Sequence, residues 1–188
     1  IQAKEKGIKF ICVDPRFTDT GAVLADQWVP IRPGTDTAML IAMAYVIIKE
    51  GLEDKKFLDR YTVGFDRFKD YVLGVADGVP KTPEWAAPIT GVAANVIRSL
   101  AVEYATKKPA ALIAGFAAGR TAYGEQYHRA TATLAAMTGN IGVHGGNPAG
   151  LDRAPVGVMV GPVIPEGSNP VEAQQPYVKD PLMRAIPR

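Results

Sequence analysis

A layered α/β/α domain built on a mostly parallel sheet is the fold class that the sequence predicts. Three observations carry it. Short unbroken apolar runs alternate with segments of helical periodicity, the pattern of strands covered on both faces by crossover helices. Glycine and proline stand mostly at the ends of these segments, where element boundaries fall. Residues 52–90 break the rhythm with short helical patterns separated by glycines, so a helical insertion interrupts the layers.

The opening residues, Ile1 to Gly7, read as the last turns of a helix already under way, with Gly7 as its C-cap. Residues 8–13 (Ile-Lys-Phe-Ile-Cys-Val) follow as a buried parallel strand, ended by Asp14-Pro15-Arg16, since proline cannot continue a ladder. Residues 26–31 form a second, shorter strand, near an edge because of Pro30. Arg32-Pro33-Gly34-Thr35-Asp36 is a turn that delivers a helix over 37–49, apolar almost all round and therefore largely buried.

In the insertion, residues 54–61 and 65–72 carry helical patterns, and the whole stretch is expected on the outside of the domain. Thr82 caps a short helix with Pro83 at its first position. Residues 92–107 form an amphipathic helix with Val96, Leu100 and Tyr104 at spacing four. A third buried strand is expected at 109–115, then a glycine-bearing loop, then a helix over 125–138 that Gly139 terminates. The sum is a three-layer, Rossmann-like arrangement spanning residues 1–150. Residues 151–188 form a Pro/Gly-rich extended tail. Both ends read as cut from something longer.

Composition narrows the function classes. The net charge is only +2, with Lys and Arg scattered, so no basic patch argues for nucleic acid. The longest apolar run, residues 38–48, falls short of the ~18 residues of a membrane span. Cys12 is the only cysteine and reads as an inert buried thiol; His128 and His144 cannot complete a zinc site by themselves. Neither Ser99 nor Ser168 has the setting of a catalytic nucleophile.

Ligands of parallel sheets sit beyond the carboxyl ends of the strands. That rule selects three segments. Asp14, after the first strand, can accept hydrogen bonds from ribose hydroxyls, and Arg16 can hold a phosphate; a strand-end turn with a solvated ion pair fits the same residues. In Gly34-Thr35-Asp36 the glycine permits close approach, and the carboxylate can accept two N–H groups from a guanine edge; a plain helix cap by Thr35 or Asp36 is the alternative. Between Gly115 and Gly124, backbone N–H groups can face a phosphate or a flat ring, with Arg120 as a nearby cation or as a merely solvated one.

Together these segments resemble a known family. Val13-Asp14-Pro15-Arg16-Phe17-Thr18-Asp19-Thr20, Ala25-Asp26, Pro30-Ile31-Arg32-Pro33-Gly34-Thr35-Asp36, Thr138-Gly139-Asn140-Ile141-Gly142 and Gly145-Gly146 resemble the dimethyl sulfoxide reductase family of molybdopterin oxidoreductases. Residues 77–86 and Ile89-Thr90-Gly91-Val92 are similar to its branch of anaerobic dimethyl sulfoxide reductase catalytic subunits. The resemblance implies a bis(molybdopterin guanine dinucleotide) molybdenum cofactor and two-electron reduction of an S-oxide or N-oxide such as dimethyl sulfoxide. It implies cofactor contacts from Val13, Asp14, Pro15, Arg16, Phe17, Gly34, Thr35 and Asp36 at a guanine nucleotide, and from Ala114, Gly115, Ala118 and Arg120 at the pterin. Phe116-Ala117-Ala118-Gly119 departs from the more polar side chains of many members.

The resemblance further implies that the metal ligand, a 4Fe-4S cluster and the first strand of the domain lie upstream of Ile1, so no catalytic residue can be named within this chain. An iron–sulfur electron-transfer subunit, a membrane anchor subunit and a periplasmic location are implied likewise. A sheet lacking its first strand exposes an edge that can pair with a second copy. Other members of the family, such as polysulfide, arsenate or nitrate reductases and formate dehydrogenases, and a stand-alone nucleotide-binding or interaction module remain alternatives.

Overall fold

The apolar helix expected after the Gly34 turn is the element around which the others gather. The computed structural model of the protein describes residues 1–147; the tail expected at 151–188 lies outside them. In chain order the elements are α1 (Gln2–Glu5), β1 (Ile11–Val13), α2 (Asp19–Leu24), β2 (Gln27–Val29), α3 (Asp36–Lys49), α4 (Lys55–Tyr61), α5 (Phe65–Val72), α6 (Pro83–Thr90), α7 (Ala94–Thr106), α8 (Phe116–Gly119) and α9 (Glu125–Met137). Helix α3 buries Met39, Leu40, Met43, Val46, Ile47 and Ile48. It packs against α5, α6, α7 and α9, which is why its apolar residues run round nearly the whole circumference.

β1 and β2 pair in parallel, with Ile11 opposite Gln27 and Val13 opposite Val29. Parallel neighbours need a crossover, and α2 supplies it, started by Thr18, whose hydroxyl accepts the Gly21 N–H. No helix was expected there, because six residues with only Gly21 buried carry no readable apolar stripe. The architecture is α/β, with a small parallel sheet and helices around it.

The third expected strand needs correction. Residues 109–115 are not hydrogen-bonded into the sheet. They keep a strand-like alternation, with Ala110, Leu112 and Ala114 half-buried and Ala111, Ile113 and Gly115 exposed. The physical reason is a gap: a cavity of about 540 Å³ separates this segment from β1.

The insertion is likewise more than an outer layer. Leu58, Val72 and Ala86 enter the core, and α6 packs directly on α3. Thr82 accepts the Trp85 N–H as the expected N-cap, with Pro83 at the first position. At the other end of α6 the Arg32 guanidinium donates to the carbonyls of Pro88 and Ile89, and the Arg32 N–H donates to Thr90 O. A cation on the terminal carbonyls suits the negative end of the helix. It also occupies Arg32 with a structural task. In α7 the buried residues are Ile97, Ala101, Tyr104 and Ala105; Val96 and Leu100 flank that face.

Candidate functional site

The three nominated loops converge at the N-terminal end of α3. After β1 the backbone turns at once, as the Arg16 N–H donates to the Asp14 carboxylate at 2.8 Å, an Asx turn. The Trp28 indole N–H donates to the backbone oxygen of Asp14 at 2.9 Å. Its ring meets that of Phe17 at 5.2 Å and 53°. Trp28 thus holds the 14–17 loop from the neighbouring strand, a role the sequence reading missed. Pro15, Arg16 and Phe17 are exposed at the carboxyl edge of the sheet, and Arg16 makes no ion pair among the described residues.

Gly34 has φ +76°, in the left-handed region that favours glycine. A Cβ there would lie 3.8 Å from the Thr121 side chain, so this turn abuts the loop after Gly115. Thr35 stands at the N-cap position of α3, but its hydroxyl makes no capping bond and donates back to Arg32 O at 2.7 Å. Asp36 occupies the first turn of the helix and is half-buried. Burial pushes its carboxyl above the ordinary range, the Asp14 charge adds to this, and a hydrogen bond from its own backbone opposes it. Two carboxylates therefore lie within electrostatic reach of one another.

The Gly115 loop is tied in by Tyr127, whose hydroxyl accepts the Gly115 N–H at 3.2 Å. Burial raises the Tyr127 hydroxyl pKa, and the Asp36 charge raises it further; the tyrosine and the carboxylate both line the cavity. Tyr127 was not nominated from sequence. Its signal was that of an aromatic residue with a polar tip at the start of a helix. Ala114 and Ala118 are half-buried, and Arg120 is exposed.

The glycines of this loop divide by role. Only Gly115 has open space where a Cβ would stand; at Gly119 a Cβ would run into the His128 imidazole, and at Gly124 into the Gly119 backbone. Close approach to a ligand is thus a property of Gly115, whereas Gly119 and Gly124 are packing positions, and α8 stands where an open loop was expected. His128 packs on Gly119 and meets the Tyr127 ring at 5.1 Å. Cys12 is half-buried, not fully buried as expected. Burial, then the Asp14 charge, push its thiol upward, away from the reactive thiolate.

Comparison with known proteins bears on this arrangement. A family model described as molybdopterin oxidoreductase matches residues 1–182. The sequence is 45% identical to dimethyl sulfoxide reductase DmsA of Haemophilus influenzae over 93% of its own length and 23% of that protein. It is 48% identical to dimethyl sulfoxide reductase DmsA of Escherichia coli over 78% of its own length and 20% of that protein. Among solved structures, acetylene hydratase from Pelobacter acetylenicus superposes with a TM-score of 0.65 at 35% identity, covering 73% of this protein and 18% of that one. The chain spans about a fifth of the length of these relatives.

Proposed function

Because this chain belongs to the molybdopterin oxidoreductase family, we propose that it is the segment of a molybdenum enzyme that grips the guanosine end of a bis(molybdopterin guanine dinucleotide) cofactor. The observation that carries this reading is the convergence of the Asp14, Gly34–Asp36 and Gly115 loops at the carboxyl edge of the sheet. The donor set fits the group. Asp36 presents a half-buried carboxylate to the cavity, and a carboxylate accepts two N–H donors side by side, which a guanine edge offers and an adenine edge does not. The rest of the Asp14 carboxylate is available to ribose hydroxyls once the Arg16 N–H is counted. Arg16 and Arg120 are exposed cations for the diphosphate, and Gly115 leaves room for close approach. Val13, Pro15, Phe17, Thr35, Ala114 and Ala118 would shape the walls.

Bound in the whole enzyme, the cofactor would supply the redox chemistry by which an S-oxide or N-oxide is reduced with two electrons and two protons, its oxygen leaving as water. This chain's residues would hold and orient the nucleotide end and exclude water from it. In this reading a 4Fe-4S cluster, an iron–sulfur subunit, a membrane anchor and a periplasmic setting belong to the larger assembly. The similarity to proteins named dimethyl sulfoxide reductase supports dimethyl sulfoxide as the substrate.

Calorimetric titration with guanosine diphosphate, adenosine diphosphate and an Asp36→Ala variant tests the grip. Saturable binding that prefers guanine is expected. The variant should lose at least about tenfold in affinity, since hydrogen bonds to a charged group contribute ~1.5–3 kcal/mol each. Equal affinity for the two nucleotides, or an unchanged variant, would refute the assignment of Asp36.

A further inference from the structure

Two polar groups on the wall of the cavity beside β1 keep hydrogen-bonding capacity in hand. One is the Asp36 carboxylate, in the first turn of α3. The other is the Tyr127 hydroxyl, in the first turn of α9. Neighbouring polar side chains of the wall are engaged elsewhere. The Thr131 hydroxyl, one turn beyond Tyr127, donates to His128 O at 2.8 Å. Lys9 and Glu103 pair with each other at 2.6 Å.

The Tyr127 ring is held in place. It packs against the core and meets the His128 ring at 5.1 Å and 58°. Its oxygen accepts the Gly115 N–H at 3.2 Å. A phenol carries a single proton beside its acceptor oxygen. With the oxygen taken, that proton is what Tyr127 has to offer, and no acceptor receives it among the described residues. The Asp36 charge is felt at this hydroxyl, yet no hydrogen bond joins the two. The gap between them is thus too wide for direct contact and narrow enough for electrostatic coupling, which leaves space for the edge of a ligand.

A free O–H facing a carboxylate across a gap is a donor beside an acceptor. The matching ligand edge carries an acceptor beside donors. Guanine has that edge: its exocyclic carbonyl oxygen stands next to a ring N–H and an exocyclic amine. Adenine has an amine in place of the carbonyl and a bare ring nitrogen in place of the N–H, so it mismatches both wall groups. We propose that Tyr127 is a specificity-determining residue, its hydroxyl donating to the exocyclic carbonyl oxygen of guanine while Asp36 accepts the adjacent ring N–H and amine. The inference deepens the reading of this site as a guanosine grip, and rests on it. Tyr127 adds a discrimination that Asp36 lacks. A carboxylate accepts from any amine, adenine's included, whereas a hydroxyl restricted to donating rejects an amine set against it. Acceptance of the Gly115 N–H also polarises the hydroxyl and makes it a better donor.

The test sets guanosine diphosphate against thioguanosine diphosphate, in which sulfur replaces the exocyclic oxygen, and measures both affinities for the parent chain and for Tyr127→Phe. Sulfur is a weak acceptor, and both nucleotides keep the N–H donors that Asp36 takes. The parent should bind guanosine diphosphate about two- to tenfold more tightly than the thio analogue, the range of one ordinary net hydrogen bond. Tyr127→Phe should lose a similar factor for guanosine diphosphate and bind the two nucleotides alike, because without the donor the acceptor's strength no longer matters. Asp36→Ala should weaken both nucleotides and preserve their ratio. A parent that binds the two equally overturns the inference, however the variant folds. A Tyr127→Phe variant that keeps the parent's preference overturns it too, and a uniform fall in both affinities is the mark of a structural role through Gly115. Where either result comes with guanosine diphosphate still preferred over adenosine diphosphate and still dependent on Asp36, the guanosine grip stands without Tyr127. A parent that binds no guanosine diphosphate removes both readings.

Discussion

Asn140 is where removing a few atoms should cost most for its size. It follows α9, is 1% exposed, and uses both ends of its amide. Its Oδ1 accepts the Ala110 N–H at 3.1 Å, and its Nδ2 donates to Thr138 Oγ1 at 2.8 Å. The first of these bonds anchors the 109–113 segment to the end of α9. Asn140→Ala removes two hydrogen bonds, each contributing about 1 kcal/mol net, and leaves the Ala110 N–H unpartnered at a further cost of about 1–3 kcal/mol. Some of that donor is relieved by water, because Ala110 is only half-buried. The expected loss is therefore about 2–4 kcal/mol, read from urea unfolding as a lower midpoint with an unchanged slope. At ~2–4 °C per kcal/mol for a domain of this size, Tm should fall by roughly 4–16 °C. Exchange at the amides of residues 110–113 should rise more than at α3. A variant within about 0.5 kcal/mol of the parent, as for a neutral surface change, would refute the claim that this side chain ties the two segments together.

Other perturbations separate further contributions. Gly139 has φ +65° after α9, and a Cβ there would meet the Asp54 carboxylate that caps α4; Gly139→Ala should destabilise by more than about 1 kcal/mol in chemical denaturation. Lys81 is buried against the Asp77 carboxylate at 2.7 Å and lies over the Tyr71 ring at 4.4 Å. The hydrogen bond from Lys81 and that from the Val79 N–H hold the Asp77 carboxyl below the ordinary range. The stabilisation from Asp77 is therefore present at pH above that range and is lost as pH falls through the lowered value. Asp77→Asn should lower the denaturation midpoint at pH 7, and the two proteins should converge at strongly acid pH. Asp36 has the opposite sign, because its raised value means folding penalises the charge at pH above that value and the penalty fades as pH falls through it. Asp36→Asn should thus raise stability at pH 7, with the gain vanishing toward pH 3 in the same denaturation series; a loss at pH 7 would contradict the burial account.

Helix α3 was legible because a fourteen-residue apolar segment delivered by a Gly34 turn leaves little else possible. The Thr82–Pro83 start and the Gly139 stop were legible for a related reason: the cap and the positive φ are local properties written into single residues. Pairing is not local. Residues 109–115 read as a strand by composition and alternate like one, yet ladder membership depends on a neighbour at the correct spacing, which no window of sequence contains. The site behaves similarly. Asp14, Gly34, Asp36 and Gly115 could be nominated because strand ends announce loops. Trp28 and Tyr127, which lock two of those loops, act through hydrogen bonds from β2 and α9 that only the folded arrangement reveals. The same holds for Gly119 and Gly124, where glycine answers to a neighbouring side chain or backbone and leaves no room for a ligand.

Kinship with an acetylene hydratase limits what this scaffold can decide. A protein of that name shares the fold at 35% identity over most of the chain, so the scaffold is compatible with more than one reaction, as folds generally are. If the chain grips the nucleotide end, its strongest constraints fall on atoms distant from the reacting centre: the Asp14 turn, the Asp36 carboxylate and the Gly34 backbone. Those requirements follow from the guanine and ribose, whichever substrate the enzyme reduces. In the same reading the segment free to vary with the reaction is the one assigned to the pterin side, residues 114–120, where the side chains here are small and apolar apart from Phe116 and Arg120. Exchanging that segment between relatives of different reaction should therefore alter the metal centre's environment while leaving guanosine diphosphate affinity unchanged. Exchanging the 14–17 and 34–36 turns should do the reverse.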